Sequence, residues 1–200
     1  MTTTDFLGKV DIFEGLSASQ LAPLAEHLRR RRYELGEVVF HEDDPGDRMH
    51  IIVEGRVRIS LDSDDGREKD IALLNAGECF GEMSLFDGSN RSANATSVDN
   101  RETLVLLRED YLGFLEQHPQ VAAHVPAVLA TRLRSAYEML DDLAFLDVPT
   151  RVVKYLLALT EAHSTGNPGA AETIDIPIGQ EGLSRLVGAS RETVSRALNS

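Results

Sequence analysis

The sequence predicts an α+β chain: an N-terminal antiparallel β-barrel or jelly roll, one long helix, and a C-terminal part ending in two short helices around a tight turn. Three observations predict it. First, through the N-terminal half the apolar residues recur with a period of two in short segments, punctuated by Pro45-Gly46, Glu54-Gly55, Asp65-Gly66 and Ala76-Gly77. Turn signals about every ten residues suit antiparallel strands, because a parallel pair needs a crossover of about a dozen residues or more. Second, Leu129, Leu133, Ala136, Leu140 and Leu143 are spaced alternately by four and three residues, which is a heptad seam. Third, "QEGLSRLVGASRETVSRALN" at 180–199 carries two helical apolar stripes on either side of Gly188.

The elements follow in order. "LSASQLAPLAEHLRRR" at 16–31 sets Leu16, Leu21, Leu24, Ala25 and Leu28 at helical spacing, with Ser17 or Ser19 as N-cap, and predicts a short amphipathic helix. Strands are expected at "EVVFHE", "MHIIVEG", "RVRISLDSDDG", "DIALLNAG" and "ATSV", and again at "LVLL", where β-branched and leucine residues concentrate. Helices return at 108–119 and over roughly 120–143, where Pro126 either kinks the helix or marks a late start. In that long helix Arg132, Arg134, Glu138, Asp141 and Asp142 fill the exposed positions between seam residues, as in a two-stranded coiled coil. Pro149 opens a further helix carrying Val152, Val153, Leu156, Leu157 and Leu159. A loop is expected at "HSTGNPGAAE", 163–172, and a short strand at "TIDIPI".

Composition narrows the function classes. With 42% hydrophobic and 26% charged residues, the chain is an ordinary globular sequence. It has no apolar run near the ~20 residues of a membrane span, and "MTTTDFLGKV" lacks a signal peptide's basic and apolar regions, so the cytoplasm is expected. The net charge of -13 belongs wholly to residues 1–150, while 151–200 balance. An acidic body with a neutral end does not bind nucleic acid indiscriminately, but a local arginine cluster at that end can still touch phosphates. The lone cysteine, Cys79, excludes a disulfide framework and a cysteine metal cluster, and beside Phe80 it reads as a small buried hydrophobe. The six histidines show no metal-ligand spacing, Asp62, Asp64 and Asp65 read as a solvated turn, and no nucleophile, base and orienting group come together. Neither a metal site nor a catalytic site is expected.

Two motifs carry chemistry. In "GECFGEMSLFDGSNRSANATSV", residues 77–98, Gly81-Glu82 precedes Arg91-Ser92 by a small loop. Glycine lets backbone N–H groups approach an anion, and arginine offers a fixed fork of donors that matches phosphate oxygens. Glu82 cannot face a phosphate itself, so its partner is a ribose hydroxyl or the Arg91 guanidinium; a hairpin tip with an ordinary ion pair is the plainer alternative. In the second motif Leu183, Leu186 and Val187 form one helix's apolar face, Gly188 permits the turn and Ser190 caps the next helix. Arg191, Glu192 and Arg196 then share about 140° of that helix's surface. This is a helix-turn-helix pattern, whose second helix enters a major groove. Arginine reads guanine, glutamate accepts from a cytosine amino group, and Ser190 and Thr193 suit phosphate contacts.

Over nearly all 200 residues, through "GECFGEMSLF", "NRSANATSV", "LAFLDVPTRV" and "VGASRETVSRAL", the chain resembles the cAMP receptor protein (Crp/Fnr) family of bacterial transcription regulators. The resemblance implies a cyclic-nucleotide-binding-type jelly roll at 1–118, a dimerisation helix and hinge at 119–146, and a winged helix-turn-helix domain at 147–200. It implies that Glu82 bonds a ribose 2′-hydroxyl, that Arg91 pairs with a cyclic phosphate, and that Gly81, Met83, Ser84 and Ser92 add donors. A homodimer through Leu129, Leu133, Ala136, Leu140 and Leu143 is implied, with palindromic duplex DNA and RNA polymerase as partners and cAMP or another nucleotide as effector. No cofactor is implied, since the family's iron-sulfur sensors use several cysteines. Effector binding against the long helix would shift the hinge around Phe145 to Pro149 and so the two recognition helices.

Three departures stand out. Where cAMP-responsive members carry a Thr-Ser pair that contacts adenine, this chain has Ala136 and Tyr137; Ala136 offers no side-chain hydrogen bond, and Tyr137 can stack on a base or fill its space. Gly179 or Gln180 stands where a phosphate-touching threonine is frequent. The family's hairpin wing is missing after Ser200, which implies a truncated C-terminus. Two alternatives stay open: a DNA-binding regulator without effector, and a nucleotide-binding module acting on protein partners.

Overall fold

Strand and helix in this chain follow from which faces the sequence leaves apolar. The computed structural model describes residues 2–122, 125–163 and 179–199; the loop and strand expected at 163–178 lie, apart from His163, outside the described residues. The chain divides into two compact units, one of residues 1–61 and 71–133, the other of residues 62–70 and 134–200.

The first unit opens with helix α1 (Thr3–Leu7), a 3-10 turn at Asp11–Phe13 and helix α2 (Ala18–His27). Ser17 caps α2 as expected: its hydroxyl accepts from the Gln20 amide while the Gln20 side chain accepts from the Ser17 amide, a reciprocal box that satisfies two orphan donors. The expected helix to residue 31 is corrected. After His27 the four arginines enter strand β1 (Arg29–Tyr33), because β8 (Arg101–Leu107) offers an antiparallel partner with Glu102 opposite Arg32. Glu102 then accepts from both Arg30 and Arg32, an interaction that no helical continuation supplies.

The remaining strands are β2 (Val38–Phe40), β3 (Arg48–Glu54), β4 (Val57–Asp62), β5 (Glu68–Leu74), β6 (Cys79–Phe80) and β7 (Asn94–Ser97). They form two four-stranded sheets, ordered β1-β8-β3-β6 and β2-β7-β4-β5, which is the expected jelly roll. β3 has a continuous apolar run rather than an alternation because both its faces are covered. Met49 and Ile51 join Leu7, Phe13, Leu21, Leu24, Leu106 and Tyr111 in the larger core, under the helices. Ile52 joins Val57, Phe80 and Ala95 in a smaller core with Phe40 against it. Burying each such large side chain contributes about 1.5–3 kcal/mol.

Helix α3 (Met83–Asp87) sits between β6 and β7, and α4 (Arg108–Gln117) and α5 (Pro119–Ala122) follow β8. The long helix α6 runs from Val125 to Phe145, so Pro126 marks a start rather than a kink. In the second unit α7 (Val148–His163), α8 (Gln180–Val187) and α9 (Arg191–Leu198) close on Val152, Leu183, Val187 and Val194. Gly188 ends α8 at φ +66°, a left-handed conformation in which its N–H returns to the last turn. Arg151 ties the end of α6 to that turn, donating to Leu146 O at 2.8 Å and Val187 O at 2.9 Å. Among the described residues no helix is long and apolar enough to cross a membrane.

Candidate functional site

The loop between β6 and β7 brings the two charged residues of the first motif into the protein interior. Gly81 leaves β6 at φ +73°, and a Cβ there would stand 2.5 Å from Arg91 Nη1 and 3.2 Å from Phe40 Cε1, so a side chain here would be strained in its backbone and would displace the Arg91 fork. Glu82 follows at the N-terminal boundary of α3 and Arg91 returns ten residues after Gly81; both are almost wholly buried. The main chain of Arg91 is held on both sides, its N–H donating to Asp44 O and its carbonyl accepting from Asp43 N, each at 2.9 Å. The guanidinium donates from Nη1 to Gly81 O at 2.7 Å and lies over the Phe40 ring, 4.2 Å from its centroid. Burial pushes the Arg91 pKa down, against the pull of Asp47.

Within the protein the cation that pairs with Glu82 is not Arg91. Its Oε1 accepts from Arg132 Nη1 of α6 at 2.5 Å, and Arg132 Nη2 donates to Cys79 O at 2.7 Å. The heptad reading put Arg132 on an exposed coiled-coil position; instead it bridges α6 to β6 and the start of α3. A pair separated by fifty residues leaves no local sequence signal, and only the need of a buried carboxylate for a cation points to it. Two polar atoms at the site have no hydrogen-bond partner among the described residues: Glu82 Oε2 and Arg91 Nε, both buried. Glu82 Oε2 can accept from a hydroxyl, and Arg91 Nε–H can donate to an anionic oxygen. A ribose phosphate provides both, so the residues present fit a nucleotide.

The other expected contacts divide. Ser84 is buried and donates to Asn90 O at 3.3 Å, which closes the loop around α3. Met83 and Ser92 are exposed at the rim, 3.7 Å apart from Sδ to Oγ. Tyr137 stands on α6 in the second unit and is 61% exposed. The seam residues Leu133, Leu140 and Leu143 are also exposed, as is Ala136, while Leu129 is half-buried. Exposed leucines at heptad spacing leave an apolar stripe along α6. Cys79 is buried, and burial pushes its thiol up to about 12. Among the described residues no group of three or more potential ligands can hold a metal ion.

In the second unit Ser190 caps α9, its hydroxyl accepting from Thr193 N at 3.3 Å. Arg191, Glu192 and Arg196 are exposed, and Val194 on the opposite side is buried. Thr193 Oγ1 accepts from Arg196 Nη2 at 3.3 Å and lies 3.0 Å from Ser190 Oγ, so these three side chains form one connected polar row.

Comparison with known proteins decides the family. Residues 30–118 match a cyclic nucleotide-binding domain model, and residues 150–200 match a Crp-like helix-turn-helix domain model. The chain is 37% identical over 194 residues to the CRP-like cAMP-activated global transcriptional regulator of Mycobacterium tuberculosis, covering 97% of this chain and 86% of that protein. The chain belongs to the Crp/Fnr family of transcription regulators. Another member, the cyclic AMP receptor protein of Thermus thermophilus, is 38% identical over 188 residues, covering 94% of this chain and 83% of its own. Among solved structures, the catabolite activator protein of T. thermophilus matches with a TM-score of 0.62 at 38% identity, over 94% of this chain and 85% of its own. The c-di-GMP-responsive global regulator CLP of Xanthomonas campestris matches with a TM-score of 0.79 at 27% identity, over 92% and 90%. Members of the family are DNA-binding regulators that work as dimers, not enzymes.

Proposed function

We propose that this Crp/Fnr member is a cytoplasmic regulator controlled by a cyclic nucleotide, of which cAMP is the first candidate. One observation carries the reading. A buried carboxylate and a buried guanidinium, beside a glycine whose left-handed φ disfavours a side chain, each keep a polar atom with no partner among the described residues. In the proposed complex Arg91 Nε and its fork face the cyclic phosphate, Glu82 Oε2 accepts from a ribose hydroxyl, and Gly81, Met83, Ser84 and Ser92 complete the cradle. Since Ala136 has no polar side chain, Tyr137 holds the base by its ring face rather than by a hydrogen bond pattern. The names of two relatives, one cAMP-activated and one c-di-GMP-responsive, keep both nucleotides among the candidates.

The proposed organisation is a sensor at 1–118, a dimerisation helix and hinge at 119–146 and a DNA-binding part at 147–200. The mechanism runs through Glu82. A hydroxyl bound at Oε2 competes for the charge that holds Arg132, and so acts on α6, the helix that carries the seam Leu129, Leu133, Ala136, Leu140 and Leu143. Effector binding thereby favours one arrangement of the dimer, and differential affinity for the two arrangements sets the shift. Active dimers present two α9 helices about one DNA turn, ~34 Å, apart, and read a palindrome through Arg191, Glu192 and Arg196 with Ser190 and Thr193 on phosphates. RNA polymerase is the proposed further partner. Calorimetric titration with cAMP, cGMP and c-di-GMP, with Arg91→Ala as control, tests the reading. Micromolar binding that the variant loses supports it; no heat with any of the three overturns nucleotide control and leaves the DNA-binding assignment standing.

A further inference from the structure

We propose that Phe40 is a positioning residue for the anion site: its ring is the shelf that fixes the plane of the Arg91 guanidinium. The inference rests on the nucleotide reading and adds a residue that neither motif contains. Arg91 lies 4.2 Å over the Phe40 ring centroid, at the distance where the ring's negative face attracts a cation. The ring is braced from behind. Phe80 lies 5.8 Å and His50 6.1 Å from it, His50 stacks on Phe80 at 4.9 Å and 14°, and Tyr33 Oη lies 3.4 Å from His50 Nδ1.

The backbone is shaped for this contact. Val38 is opposite Thr96 but Phe40 is opposite Ala95, so β2 carries one residue more than β7 immediately before the ring. Such a bulge re-aims the side chain that follows it. On the other side Gly81 leaves space for the shelf: a Cβ there would press on Phe40 Cε1 and Arg91 Nη1 together. The ring holds one face of a cation whose Nε has no partner among the described residues, and so leaves the fork's edge for an anion. An arginine held in one orientation loses less freedom when it binds phosphate, and the gain appears as affinity.

The test replaces Phe40 with para-fluoro, 3,5-difluoro and 3,4,5-trifluoro phenylalanine, which weaken the ring's negative face with little change of shape, and with leucine. Three quantities are read: cAMP affinity by calorimetry, the melting temperature, and hydrogen exchange of the Arg91 Nε–H resonance without ligand, assigned by its loss in Arg91→Lys. The expectation is a stepwise loss of affinity along the fluorine series, reaching about three- to tenfold for leucine, with unchanged melting temperatures in the fluorinated proteins. Exchange at Nε–H should accelerate in the same order. Equal affinity and equal exchange across the series would overturn the proposal, and so would affinity that falls only as far as the melting temperature falls. Failure of the unsubstituted protein to bind cAMP, cGMP or c-di-GMP would overturn the nucleotide reading instead, and the ligand-free exchange series would still decide whether Phe40 sets Arg91.

Discussion

Replacing Arg132 by methionine tests how the loop between β6 and β7 is held to the long helix. The substitution keeps the unbranched stem and removes the guanidinium that donates to Glu82 Oε1 at 2.5 Å and to Cys79 O at 2.7 Å. Glu82 is 1% exposed and its second oxygen already has no partner among the described residues, so the carboxylate is left buried with neither oxygen paired. Removing one partner of a buried pair costs about 3–5 kcal/mol. Arg132 itself is 37% exposed, which moves the expectation to the lower end, about 3 kcal/mol. For a unit of this size that corresponds to a melting temperature lower by about 10 °C. Calorimetric melting of the single variant, of Glu82→Met and of the double variant Glu82→Met/Arg132→Met measures it. The double variant should recover most of the loss, because two apolar side chains leave no stranded charge. If Arg132→Met melts within about 1 °C of the unsubstituted protein, or if the double variant is worse than the single one, the pair does not hold that loop to α6 and the proposed route through Glu82 fails.

Three further outcomes follow from the structure. Burial, aided by the charge of Arg91, pushes His50 down to about 3, so the unfolded chain takes up this proton first as pH falls. The stability from keeping His50 neutral is complete above about pH 6.5 and declines toward pH 3, by about 2 kcal/mol between pH 7.5 and 5; His50→Phe should flatten that slope in denaturant titrations. The buried thiol of Cys79, raised to about 12, should resist iodoacetamide at mildly alkaline pH in the folded protein and react fully in denaturant; labelling of the folded protein at the unfolded rate would contradict its burial. Ser190→Ala should cost α9 about 1 kcal/mol through its lost cap, whereas Ser190→Asp caps equally well and should keep stability while weakening palindrome binding, since it sets a carboxylate against phosphate. Equal DNA binding by Ser190→Asp would remove Ser190 from the interface.

What was legible in the sequence, and what was not, divides by range. The turn rhythm from Pro45-Gly46 to Ala76-Gly77 disclosed the jelly roll, because each turn's chemistry is local. The pair of helices around Gly188 was legible for the same reason: the apolar stripe, the left-handed glycine and the Ser190 cap lie within twenty residues. Gly81, Glu82 and Arg91 were readable as a set since one short loop carries them all. The run Arg29–Arg31 was misread as a helix end because arginine favours helices and Leu28 continues the period; the deciding partner, Glu102, is some seventy residues away. Arg132 was misplaced by the heptad itself, which tells a seam from its flanks but not which flank residue meets another part of the chain. The short helix α1, folded on Phe6 and Leu7, has too few residues for any periodicity to show.

The arginine strand also bears on how copies of this protein meet. Among the described residues β1 is the open edge of its sheet, and its four consecutive arginines are all exposed. A bare strand edge invites another strand to extend the sheet, and chains that extend one another in that way form open-ended aggregates. Here an approaching copy would have to align a second row of arginines against the first, and the single carboxylate of Glu102 offsets only part of the charge of each row. The net positive charge of that edge disfavours growth along it, whereas the exposed leucines of α6 form an apolar stripe of fixed length that two copies can share. Pairing through a helix is self-limiting, and the strand that looked like an anomaly of composition guards against the alternative that is not.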